Sequence, residues 1–241
     1  MNCNLNCRDC LRELCMHKVP LFASLPYEEL KDAAEQMTCC GYEKGQLLLT
    51  QGDVPQGLTV ILSGSAKVYT LTQDGQEKVL SVLTENDYFG ELFLFGNSMA
   101  SYSVRALSKV RACCFAKEHF QRMLLRFPQM AVRLVEELGT RVARLEETLQ
   151  NAAGGRAEAR VAALLLEYAQ KYTVMTAVGP EIVLPLSREG MANYVGVARE
   201  TMSRKLKQME EDGLIAANGN KRLRLLKPGR LHQMAMGKEK E

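Results

Sequence analysis

At 241 residues, 46% apolar and 24% charged, the chain has the length for two hydrophobic cores and the make-up of a globular protein in water. No apolar run approaches the roughly 20 residues of a membrane span. The polar, cysteine-laden start from Cys3 to Lys18 holds no signal-peptide h-region, so a cytoplasmic protein with no membrane partner is expected. The net charge of +3 is uneven: from Gly155 onward 15 Lys/Arg stand against 10 Asp/Glu, before it 16 against 18, which points to a polyanionic partner for the tail.

Residues 1–18 are a leader with little hydrophobic periodicity. Cytosolic thiols are kept reduced, so its cysteines read as metal-binding or redox-responsive rather than as a disulfide framework. A short helix follows over 26–37, with Pro26 in its first turn and Glu28 and Glu29 at its positive end. From Cys40 to about Phe115 the texture is β-rich. Short runs (Leu47–Thr50, Leu58–Leu62, Ala66–Leu71, Lys78–Leu83, Ser103–Leu107, Val110–Phe115) alternate with turns such as Gly52-Asp53, Ser63-Gly64, Asp74-Gly75 and Glu85-Asn86-Asp87. Strands at this spacing predict an antiparallel sandwich or barrel.

Beyond Pro128 a long helix is expected. Leu134, Leu138, Val142, Leu145 and Leu149 recur at intervals of 4, 4, 3 and 4, an a/d-type seam with the charges largely off it. Such a seam packs either on its own domain or on a second copy; its run past the β-rich region favours the second copy. Gly154-Gly155 reads as a hinge, followed by a helix over Arg156–Tyr172 and a strand over Glu181–Leu184.

The strongest signal lies between Leu186 and Ile215. Ser187 can cap a short helix running to Tyr194, and Gly196 supplies a tight turn. A second helix from about Ala198 to Asp212 would bury Met202, Leu206 and Met209 and present Arg199, Glu200, Ser203, Arg204 and Lys207. Gly213 suits a helix C-cap, and Leu214–Leu226 around Asn218-Gly219-Asn220 reads as a hairpin. This is a winged helix-turn-helix, whose second helix enters the major groove by its N-terminal end. An Arg fork can pair with guanine O6 and N7, Glu can accept from cytosine N4, and Ser can play either part. The plainer alternative is a solvated face with a Glu200–Arg204 pair at i,i+4.

On these residues, together with Gly52-Asp53, Ile61-Leu62-Ser63-Gly64, Tyr88-Phe89-Gly90-Glu91-Leu92, Val104-Arg105-Ala106 and the run Arg199-Glu200-Thr201-Met202-Ser203-Arg204, the chain resembles the CRP/FNR family of bacterial regulators along nearly its whole length. The resemblance implies an α+β chain. Its parts would be the leader (1–18), a double-stranded β-roll sensor domain of cyclic-nucleotide-binding type (19–127), a dimerisation helix (128–153) and a winged helix-turn-helix domain (154–241). It implies a homodimer on palindromic double-stranded DNA, with RNA polymerase as a further partner. Members reading a TGTGA-type half-site carry the equivalents of Arg199, Glu200 and Arg204; those reading a TTGAT-type half-site carry Glu200, Ser203 and Arg204. Ala198 departs from the family's Ser or Thr cap.

Members that bind cyclic nucleotide have an Arg-Ser pair for the phosphate. Here Ala100 and Ser101 occupy those positions, so cyclic nucleotide is not expected. The cysteines offer another sensor. Cys3, Cys7, Cys10 and Cys15 in the leader, with Cys113-Cys114 far downstream, could hold a [4Fe-4S] cluster or tetrahedral zinc. The oxygen-sensing branch of the family shows this layout, which implies Cys7, Cys10, Cys15 and Cys113 as cluster ligands, with Cys3 and Cys114 as second choices. Cys39, Cys40 and Cys114 read as small core residues. The competing reading is a regulator with a small organic effector, in which zinc or a thiol switch replaces the cluster. An enzyme is not expected, because no nucleophile–base pair, phosphate loop or paired-acid constellation stands out.

Overall fold

In the computed structural model, which describes residues 18–72, 74–96, 99–154, 157–177 and 179–237, the chain divides into two compact units, Met1–Val142 and Ala143–Glu241. In the first, a 3-10 turn at Pro20–Phe22 and helix α1 (Tyr27–Glu35) lead into strands β1 (Thr38–Tyr42), β2 (Leu47–Leu49), β3 (Gly57–Ser63), β4 (Ala66–Leu71), β5 (Glu77–Leu83), β6 (Tyr88–Phe89), β7 (Ser103–Ala106) and β8 (Val110–Ala116). Helix α2 (Lys117–Arg126) follows, and α3 (Pro128–Gly154) carries the chain across the boundary between the units.

The strands form two antiparallel sheets, ordered β1-β8-β3-β6 and β2-β7-β4-β5. The period-2 alternation of strands explains the two cores of this unit. Along β8, Val110 and Ala112 join a core drawn from both sheets, with Ile61, Val68, Phe89 and Val104. Cys113 and Phe115 join a second core, with Leu21, Phe22, Leu30, Phe120, Met130 and Leu134, on the side covered by the helices. The Phe22 ring lies 5.1 Å from that of Phe115, which anchors the residues just after the leader against β8.

The predicted strands are present with shifted ends, and two strands are additional. Strand β1, Thr-Cys-Cys-Gly-Tyr, has few β-branched residues to announce it, and β6 is only two residues long. Asn86 turns the chain into β6 from a left-handed conformation (φ 72°) that Asn tolerates better than most residues.

Helix α3 departs from its expected seam. Leu134 is buried in the domain's own core and Leu138 packs against it, so these two face the β-roll. The apolar residues left exposed are Val132 (57%), Val135 (67%) and Val142 (53%), spaced 3 and 7 along another face. Gly139 falls on that stripe, and a side chain there would meet nothing within 4 Å. The side chains of Leu145 and Leu149 lie outside the described residues.

In the second unit, α4 (Ala157–Lys171) buries Val161, Leu164, Leu165 and Tyr168. Strands β9 (Thr173–Thr176) and β10 (Gly179–Val183), helices α5 (Arg188–Val195) and α6 (Arg199–Glu211), strands β11 (Ile215–Asn218) and β12 (Arg222–Leu225) and helix α7 (Pro228–Ala235) follow. The four strands make one antiparallel sheet, β11-β12-β10-β9. β9 is a strand additional to those expected from the sequence. No helix among the described residues is long and apolar enough to cross a membrane.

Candidate functional site

The helix-turn-helix is built from local signals. Ser187 caps α5, its Oγ accepting from the Gly190 N–H at 3.2 Å. At the other end Gly196 adopts φ 68°, ψ 47°, the left-handed geometry that glycine enters without a Cβ clash. Arg160 of α4 donates to the Val195 carbonyl at 3.0 Å, satisfying a helix-end acceptor and fixing the turn against the domain. Helix α6 then buries Met202, Leu206 and Met209. Lys205 turns to Glu158 of α4 at 3.2 Å. These contacts fix which face of α6 points outward.

That outward face carries the predicted residues. Arg199, Glu200, Arg204 and Lys207 are exposed and Ser203 is half-buried. Lys207 has Glu211 at 3.6 Å, a loose i,i+4 pair. Among the described residues no ion pair engages Arg199, Glu200 or Arg204, so the Glu200–Arg204 pair weighed above is not formed. Ala198 sits at the N-cap of α6 and makes no side-chain cap bond, as its methyl requires.

Gly213, at φ 63°, ends the second helix, and the Leu214 N–H returns to the Met209 carbonyl at 2.9 Å. The hairpin β11–β12 is held next to its turn by Glu181 of β10. This buried carboxylate accepts from Asn218 Nδ2 at 3.1 Å and faces Arg222 at 3.5 Å. Sequence reading missed Glu181 as an anchor, because its partners lie 37 and 41 positions away along the chain.

In the β-roll, Gly90 takes φ 96° in a place where a Cβ would stand 2.4 Å from the Gly57 carbonyl oxygen. Glu91 beside it is buried and pairs through Oε1 with Arg141 of α3, while Oε2 has no hydrogen-bond partner. Burial pushes the Glu91 carboxyl up, and Arg141 pulls part of that shift back. Arg141 also lies 4.9 Å from the centre of the Tyr88 ring, and the Tyr88 hydroxyl donates to Glu137. Ala100 is buried and brings no cation for a phosphate.

The register of β1 on β8 sets Cys39 opposite Cys113, Cys40 opposite Ala112 and Thr38 opposite Cys114. Cys39 and Cys113 are joined by a disulfide. This differs from the expectation on two counts: Cys39 is a sulfur partner rather than a packing residue, and Cys113 offers a thiolate only when that bond is reduced. Cys40 is also disulfide-engaged. Cys114 is half-buried, with burial pushing its thiol up, and points to the other face of β8 from Cys113. Cys3, Cys7, Cys10 and Cys15 lie outside the described residues, among which no three His, Cys, Asp or Glu side chains converge on a metal site.

Comparison with known proteins gives this architecture a place. Residues 40–127 match the cyclic nucleotide-binding domain family, and residues 159–234 match the Crp-like helix-turn-helix domain family. The probable transcriptional regulator flp of Lacticaseibacillus casei is 30% identical over 214 residues, 88% of this chain and 94% of its own. The chain belongs to the CRP/FNR family of transcription regulators. Another member of the family, the transcriptional activator protein FnrL of Cereibacter sphaeroides, is 27% identical over 198 residues, 80% of this chain and 79% of its own. The structure of FixK2 from Bradyrhizobium japonicum superposes with a TM-score of 0.73 at 21% identity, covering 82% of this chain and 96% of that one, which speaks to the fold. This CRP/FNR protein is therefore a DNA-binding transcription regulator and not an enzyme.

Proposed function

We propose that this regulator reads a palindromic double-stranded site as a homodimer, through Arg199, Glu200, Ser203, Arg204 and Lys207, under the control of an oxygen- or redox-sensitive [4Fe-4S] cluster on Cys7, Cys10, Cys15 and Cys113. The observation that carries the DNA reading is the outward face of α6, whose Arg199, Glu200 and Arg204 are not spent on ion pairs within the described fold. An unpaired guanidinium at a helix N-terminal end is available for the bidentate guanine contact. RNA polymerase is the further partner of a regulator so placed, and the cytoplasm is where it would meet both.

The exposed stripe Val132, Val135, Gly139 and Val142 supports the dimer. Among the described residues nothing asks for glycine at 139, where it costs about 1 kcal/mol of helix stability relative to alanine. Close approach of a second α3 gives it a purpose.

The place of Cys113 supports the cluster reading. Cys113 shares its core with Val19, Leu21 and Phe22, so the chain enters the fold beside it, and Cys15 precedes Val19 by only four residues. An extended span of that length reaches about 14 Å. Cys114 faces the other side of β8, which favours Cys113 as the β-roll ligand. When bound, the cluster supplies an oxygen-labile tie between leader and β8. Iron, acid-labile sulfide and zinc per chain, measured on anaerobically purified protein before and after air, test the reading. About four iron and four sulfide, lost in air, support it; stoichiometric zinc or no metal rejects it.

A further inference from the structure

The cluster reading gives no role to Cys39, yet the fold places it directly across from Cys113. The two lie 74 residues apart in sequence, in register on β1 and β8, with Cα atoms 4.0 Å apart. Both belong to the helix-side core, so their sulfurs point the same way. Cα atoms more than about 7 Å apart cannot be bridged without moving the backbone, and this pair lies inside that limit. Cys39 is 8% exposed and Cys113 1% exposed, so Cys39 is the less deeply buried of the two.

We infer that Cys39 and Cys113 form a redox-active dithiol that reacts with low-molecular-weight disulfides, and that closing it withdraws Cys113 from metal ligation. The second half of this inference rests on the proposed cluster site; the first does not. The exchange is balanced. The Cys39 thiolate attacks one sulfur of RSSR, forming a mixed disulfide and expelling RS⁻. The Cys113 thiolate then attacks the Cys39 sulfur, forms the Cys39–Cys113 bond and expels the second RS⁻. The two thiol protons end on the two leaving thiolates as RSH, and two electrons pass from the protein sulfurs to RSSR. A thiol reductant reverses the process. The register explains the choice of partner: Thr38, not a cysteine, stands opposite Cys114. The regulator would thus have two mutually exclusive states of one sulfur, ligand or disulfide.

The test uses the full chain. Reduced, metal-free protein is treated with hydroxyethyl disulfide, quenched with N-ethylmaleimide, digested without reductant and mapped by mass spectrometry. A Cys39–Cys113 linked peptide that disappears with dithiothreitol is expected, and a Cys39→Ala variant should leave Cys113 alkylated on denaturation. Wild-type Cys113 remaining fully alkylated after oxidation would overturn the pair. The same map is then made on protein loaded anaerobically with ferrous iron and sulfide, where the linked peptide should fall at least several-fold. An unchanged yield on protein that has bound iron would overturn the competition. If no iron loads, the cluster reading fails and takes the competition with it, while the dithiol stands or falls on the first map.

Discussion

At the scale of single residues, the side chains proposed to read DNA from the outward face of α6 are separable by chemistry. Arg204 is exposed and outside any ion pair among the described residues, so its guanidinium is free to fork onto a guanine. Arg204→Ala is expected to cost about 1–3 kcal/mol of discrimination at one base position, visible as relaxed preference there in competition binding. Lys207→Ala should instead weaken all duplexes alike and lower the slope of log K against log[salt] by about 1, the signature of a lost phosphate contact. A buried carboxyl gives a different kind of prediction. Burial holds Glu91 above the ordinary carboxylate range against the pull of Arg141, with Glu137, Tyr88 and Tyr102 also around it. An acid with a raised folded-state pKa takes up protons on folding, so it costs stability as pH rises from about 4 through the raised value, and the cost is constant above it. Glu91→Gln should lower the melting curve, because Arg141 loses its partner, and flatten that stretch of its pH dependence. An unflattened curve would show that the titration belongs to another group.

At the scale of elements, α3 shows how one helix serves two surfaces. Met130, Leu134 and Leu138 lie toward the β-roll, as do Glu137 and Arg141, which reach Tyr88 and Glu91. Val132, Val135, Gly139 and Val142 lie away from it. Leu134→Ala is therefore expected to destabilise the first unit by about 2–5 kcal/mol, a cavity effect measurable by urea unfolding. Gly139→Leu has open space within the chain and should leave the protein folded, yet shift it toward monomer in sedimentation. A folded Gly139→Leu dimer of unchanged affinity would rule this face out as the interface. Helix α6 offers a gain instead of a loss: Ala198→Ser would supply the missing N-cap and add roughly 0.5–2 kcal/mol to the second unit's stability.

At the scale of the whole molecule, two-fold pairing through α3 would set two reading heads on half-sites about 34–36 Å apart, so inserting half a helical turn between half-sites should abolish tight binding. Cys113 of β8 shares its core with Met130 and Leu134 of α3, so a change at that sulfur would be felt by the helix proposed to pair.

The helix-turn-helix was legible from sequence because its determinants are local: Ser187 three residues before the N–H it caps, Gly196 at the turn, Met202, Leu206 and Met209 at helical intervals, Gly213 at the stop. Each acts within one or two turns of chain, so spacing alone fixed the element and its exposed face. Most strands of the β-roll were legible for the same reason, through alternation and turn residues. The rotational phase of α3 was not, since Leu134 and Val135 are equally apolar and only contact with the roll decides which is covered. The pairing of Cys39 with Cys113 was not either. Register between strands 74 residues apart is set by the packing of the whole sheet, and no local spacing encodes it. Sequence by itself determined the helix-turn-helix and which side chains of its second helix stay outside the core. Tertiary structure alone decided which sulfur faces Cys113 and which stripe of α3 is left exposed, because both depend on surfaces that exist only once distant segments have packed.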